Sequence, residues 1–110
     1  MKQCTLDNPV NKTLKVLGGK WKPLILWFLK EKTMRFSELS KELEGITQKM
    51  LTQELRQLEA DGLVDRKVYA QVPPKVEYSI SEYGKSLTPV IKALADWGKN
   101  HKMKGAKLSA

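Results

Sequence analysis

Apolar positions along this chain switch between helical and strand spacing, and each switch marks an element. Val10, Leu14 and Leu17 recur at helical spacing behind Asn8-Pro9, a capping side chain followed by a proline whose missing N–H is harmless in a first turn. A short helix is predicted there, closed by Gly18-Gly19, because glycine takes the positive φ that ends a helix. "KWKPLILWFLKEK" then restarts with Pro23 in a first turn and Leu24 to Leu29 apolar on every side, the pattern of a central helix packed on several sides. Trp21 and Trp27 read as packing residues of that helix.

"RFSELSKEL" places Phe36, Leu39 and Leu43 at i, i+3 and i+7, with Ser37 as its candidate cap. "EGI" gives a tight turn through Gly45, and Thr47 stands where it caps the next helix. Together these segments outline a helix-turn-helix. Along "TQKMLTQELRQLEA", at about 100° per residue, Leu51, Leu55 and Leu58 form an inward stripe with Met50 at its border. Lys49, Thr52, Gln53 and Arg56 fall together on the far side.

After "ADG" the period drops to two. Val64, Val68 and Val72 alternate with polar residues, "PPK" turns the chain, and "VEYSI" alternates again, which predicts a two-stranded ribbon with a proline-bearing tip. Ser81 is the candidate cap of a last helix carrying an apolar band of Leu87, Val90, Ile91, Leu94 and Trp97. Pro89 is expected to kink that helix by removing one hydrogen bond. The expected fold class is mainly α with a small β-hairpin wing (α+β), a winged helix-turn-helix. It fills one domain over residues 1–110, with an N-terminal arm and a C-terminal dimerisation helix.

Composition narrows the partners. The chain is 41% hydrophobic and 29% charged, and its longest apolar run, "LILWFL", falls far short of the ~20 residues a bilayer span needs. "MKQCTLDNPVNK" has no apolar segment after its charged start, and a single cysteine fits a reducing compartment, so the cytoplasm is the expected location. Lys plus Arg outnumber Asp plus Glu by 20 to 12, a net charge of +8, which favours a polyanionic partner. A lone His101, a Cys4 without a neighbouring histidine, and a "GGK" lacking the rest of a phosphate loop argue against an enzyme, a metal or a cofactor.

A recognition helix fits the major groove of double-stranded DNA, where Gln pairs bidentately with adenine and Arg with guanine. Gln53 and Arg56 are therefore the candidate base readers. Thr47, Gln48 and Lys49 lie at the helix start, where free N–H groups and the dipole favour a phosphate, with Gln48 also within reach of a base. Thr52 suits a thymine methyl or a phosphate. On the wing, Lys75 beside Pro73-Pro74 is the candidate for backbone or minor-groove contact, ahead of Arg66 and Lys67 on the stems. Two other classes compete with a specific regulator: a nonspecific nucleic-acid-coating protein, and a winged-helix adaptor for other proteins. The apolar band at Leu87, Val90, Ile91, Leu94 and Trp97 is wide enough to serve both its own domain and a homodimer partner, helped by the first helix.

"VLGGKWKPLIL", "RFSELSKELEGITQKMLTQELRQLEADGLV", "PPKVEY" and "GKSLTPV" occur in an order that resembles the HxlR family of bacterial winged-helix transcription regulators over residues 8–98. The resemblance implies a winged helix, a homodimer built through terminal helices, and sequence-specific binding to operator DNA. It also draws attention to Cys4. Many members carry a cysteine directly before Pro-Val at the start of the first helix, and in some it senses oxidants or electrophiles. This chain has Asn8 at that position and Cys4 four residues earlier, near Lys2 and Lys12. Cys4 is thus a candidate redox sensor, with an unreactive free thiol as the alternative.

Overall fold

The computed structural model describes residues 8–101. Helix α1 (Pro9–Leu17) begins as its sequence dictates: the Asn8 side chain accepts the Val10 N–H at 2.8 Å, and Pro9 opens the first turn. Gly19, at φ +86°, turns the chain into α2 (Trp21–Leu29). Ile25, Leu26 and Leu29 of α2 are buried at the centre of the core. Helix α2 is packed on several sides, as expected, and is least covered where Leu24 is 37% exposed and Trp27 half-buried. There the Lys30 ammonium sits 3.7 Å from the Trp27 ring centre, covering one aromatic face with a charge.

A two-residue strand, β1 (Met34–Arg35), leads straight into α3 (Phe36–Glu42). Such a strand has no period to read, and it was not foreseen. The expected cap at Ser37 is also corrected: Arg35 is the capping position, and its N–H donates to the Glu38 carboxylate at 2.8 Å. Gly45, at φ +94°, makes the turn to α4 (Gln48–Ala60), whose cap is Thr47, with its hydroxyl accepting the Met50 N–H at 3.0 Å. Leu51, Leu55 and Leu58 are all buried, so the leucine stripe fixes how α4 is rotated on the core.

Strands β2 (Val64–Tyr69) and β3 (Lys75–Ile80) form the wing, and β1 adds to them in an antiparallel sheet of order β1-β3-β2. Arg66 and Met34 both pair with Tyr78, while Lys67 and Arg35 pair with Glu77. Strand alternation therefore puts Met34, Val64, Arg66 and Tyr78 on the inner face, and Arg35, Lys67, Tyr69, Lys75 and Glu77 on the outer. The valine alternation loses its meaning toward the tip: Val68 is 53% and Val72 99% exposed, because the hairpin runs out beyond the core.

Ser81 ties the wing back to the end of α4. Its hydroxyl donates to the Gly62 carbonyl at 2.6 Å and accepts the N–H of Gly84 at 2.8 Å, at the start of a 3-10 turn (Gly84–Leu87), so it does not cap the last helix. Gly84 is required here, since a Cβ would collide with the Leu63 carbonyl. Helix α5 (Thr88–Asn100) starts only afterwards, with Pro89 in its first turn. The expected kink is thus replaced by a clean helix start, where the missing N–H has no partner to lose.

Candidate nucleic-acid interface

With its leucines inward, α4 turns Gln48, Lys49, Gln53 and Arg56 to solvent, and Thr52 lies half-buried on the flank toward the wing. The polar row expected from the sequence is therefore present as one surface. Thr47 is exposed, but its hydroxyl is already engaged as the cap. Leu51 N–H returns to the Thr47 carbonyl at 2.9 Å, while the Gln48 and Lys49 N–H groups take no protein partner among the described residues. The helix start thus offers two free donors at the positive end of the dipole.

On the wing, Lys75 and Arg66 differ in their surroundings. Lys75 is fastened: its ammonium lies 3.2 Å from the Glu77 carboxylate and 4.8 Å from the centre of the Tyr69 ring. Tyr69 donates its hydroxyl to the other Glu77 oxygen at 2.9 Å, and Lys67 approaches the same ring at 5.0 Å. The hydrogen bond from Tyr69, and after it the contact with Lys75, hold the Glu77 carboxyl below the usual carboxylate range. Arg66 faces the other way. It lines a cleft of about 400 Å³ between α4 and the wing stem, together with Thr52, Arg56, Glu59 and Tyr78. Sequence reasoning ranked Lys75 above Arg66, although the signal for Arg66 was available: it lies two residues from the buried Val64, on the same strand face.

The apolar band that runs from the 3-10 turn into α5 divides. Ile91 is 4% exposed and packs in the chain's own core, the part of the band that serves its own domain. Leu87 is half-buried, whereas Val90, Leu94 and Trp97 stay exposed, Leu94 at 55% and Trp97 at 57%. Between α2 and α5 runs an apolar groove of about 280 Å³ that includes Leu24, Trp27 and Leu94. Val10 and Leu14 of α1 are exposed as well. Cys4 lies outside the described residues. Among the described residues no group of three or more His, Cys, Asp or Glu is placed to hold a metal, and no helix is long and apolar enough to cross a membrane.

Known proteins share this arrangement. Residues 16–106 match the family described as HxlR-like helix-turn-helix. The uncharacterized HTH-type transcriptional regulator YdeP of Bacillus subtilis (strain 168) is 51% identical over 102 residues, 93% of this chain and 80% of its own. The redox regulator HypR in its oxidized form superposes with a TM-score of 0.84 at 47% identity, over 87% of this chain and 99% of that one. A transcriptional regulator assigned to the MarR family, from Porphyromonas gingivalis W83, gives a TM-score of 0.86 at 35% identity, over 93% of this chain and all of that one (100%). These relatives are regulators rather than enzymes, and the two solved structures share the winged helix-turn-helix fold assembled above. This chain belongs to the HxlR-like helix-turn-helix family of transcriptional regulators.

Proposed function

We propose that the protein binds operator DNA sequence-specifically as a homodimer, with α4 in the major groove and the wing along the backbone. The observation that carries this reading is the row Lys49, Gln53 and Arg56, held outward by three buried leucines on a chain of net charge +8. Gln53 and Arg56 read base edges, Gln48 and Lys49 position the helix start on a phosphate, and Thr52 contacts a methyl or phosphate at the groove edge. Thr47 acts by fixing that helix start. Lys75 reaches the backbone or minor groove from the wing tip, after exchanging Glu77 for phosphate. The exposed Val90, Leu94 and Trp97, with Leu24 and the outer side of α1, form the dimer seam. A two-fold dimer sets its recognition helices roughly 34–36 Å apart, one turn of DNA.

Selecting binding sites from random duplexes tests the proposal. A two-fold-related consensus, bound ~10³-fold or more above random DNA, is expected of a specific regulator. A flat preference assigns the chain to nonspecific coating, and no DNA binding at all to a protein adaptor. A second reading adds oxidation of Cys4 as a control on affinity, and the likeness to the redox regulator HypR favours it. Operator affinity of the wild type and Cys4→Ser, each before and after diamide, decides it. Equal losses in both dismiss the thiol.

A further inference from the structure

The cleft between α4 and the wing stem gathers hydrogen-bond donors that the fold itself leaves unused. Arg56 and Arg66 both line it, and among the described residues neither guanidinium makes an ion pair or a side-chain hydrogen bond. Tyr78 is 8% exposed, yet among the described residues its hydroxyl takes no partner, and it is not sealed from solvent. Thr52 contributes a second hydroxyl. Against these donors stands one carboxylate, Glu59. Arg66 is exposed, lies on the same strand face as the buried Val64, and pairs opposite Tyr78, which aims it at this cleft.

We infer that this cleft is a phosphate notch, in which Arg66, with the Thr52 and Tyr78 hydroxyls, holds one phosphodiester of the DNA backbone. The inference rests on the operator-binding reading and adds a residue and a ligand class to it. A guanidinium offers a planar fork of N–H donors matched to phosphate oxygens, and hydroxyls complete a shell around a tetrahedral anion. The notch adjoins the wing-side flank of α4, so a phosphate seated there lies at the edge of the groove that α4 enters. That contact locks the angle between the recognition helix and the wing. Arg56 remains the base reader and lends positive potential to the notch. Glu59 opposes the phosphate and limits sequence-independent affinity.

The test uses the full chain and a random-sequence duplex, with affinity measured across salt concentrations. Arg66→Met keeps the aliphatic stem beside Tyr78 and removes the charge. It is expected to reduce the log–log salt slope by about 0.9, the value of one phosphate contact, while Arg66→Lys retains most of the slope. Glu59→Gln is expected to raise affinity for random DNA, and by more than Glu54→Gln, an equal charge change on the opposite flank of α4. This pair of variants keeps the test decisive if Arg66→Met fails to fold. An unchanged slope in a folded Arg66→Met, or equal effects of the two glutamate variants, overturns the notch and leaves operator binding standing. Failure of the wild type to bind any duplex removes both. A third arm titrates inorganic phosphate at constant ionic strength: Arg66-dependent phosphate binding with an unchanged DNA slope means the notch serves a free phosphorylated ligand, which overturns the backbone assignment.

Discussion

Helices α4 and α5 have the same length, 13 residues, and both carry an apolar stripe, yet the fold uses the two stripes differently. On α4 every leucine of the stripe is at most 1% exposed. On α5 only Ile91 is buried, and the stripe continues outward through Leu94 and Trp97. Their neighbours explain the difference. Helix α4 packs against α2 and the wing and leaves one polar side, whereas α5 packs against α2 and the 3-10 turn and leaves Leu94 and Trp97 of its band uncovered. An apolar period thus reports a face, and what covers that face is a separate question. A helix with a completed face is free to present chemistry on its other side. One with an incomplete face is suited to a partner.

The largest effect that separates the two helices is expected in stability. Leu55→Ala opens a void in a close-packed core and should cost ~2–5 kcal/mol. Leu94→Ala removes atoms that are already half in water and should cost far less in the monomeric fold, as read by urea unfolding at low protein concentration. Similar losses would show that α5 is as complete as α4 and erase the contrast.

Next comes assembly. Leu94→Glu should leave the fold intact and weaken self-association by roughly 2–4 kcal/mol, the range of a central interface residue. Sedimentation at tens of micromolar should then show a wild-type dimer and a variant monomer. A monomeric wild type ends the dimer proposal, and an unfolded variant moves Leu94 into the core with Ile91. On the polar side of α4, Gln53→Ala should cost ~1–3 kcal/mol on the operator and relax preference at one position per half-site. Equal loss on operator and random DNA removes Gln53 from base reading.

The contrast also explains what the sequence made legible. The outward row of α4 could be read because both of its causes are local: the leucine stripe sets the rotation, and Thr47 sets the start. Where the outcome depended on contacts distant in sequence, the reading failed. Strand β1 exists because β3 pairs with it, and nothing in Met34-Arg35 alone announces that. Ser81 carries an ordinary cap signal, but its hydroxyl is held by the Gly62 carbonyl and a 3-10 turn precedes α5; at α3 the competition was local, with Arg35 as the capping position and its N–H taken by Glu38. Lys75 and Arg66 look alike as charges in the sequence, and only the register separates a lysine fastened on the outer face from an arginine facing the notch.

The smallest effect concerns that fastening. Glu77 is tied by Tyr69 and Lys75, which lowers its folded pKa below the unfolded value. A depressed carboxyl stabilises the fold above the unfolded pKa, ~4.3 for glutamate, and loses that contribution as pH falls through the folded value. The cluster is therefore intact throughout the neutral range, and Lys75 must leave Glu77 to meet a phosphate. Glu77→Gln keeps the Tyr69 hydrogen bond and frees the ammonium, so affinity for random duplex should rise, by less than the operator loss in Gln53→Ala, because surface pairs are weak and salt-screened. Lys75→Ala should lower that affinity, and more in the Glu77→Gln background than in the wild type. Wild type and Glu77→Gln should also converge in stability on acidification, with the difference closing below pH 4.3. If Lys75→Ala has the same effect in both backgrounds, Glu77 does not restrain the lysine. The outer face of the wing is then an ordinary solvated surface, and Arg66 remains the wing residue through which the backbone is gripped.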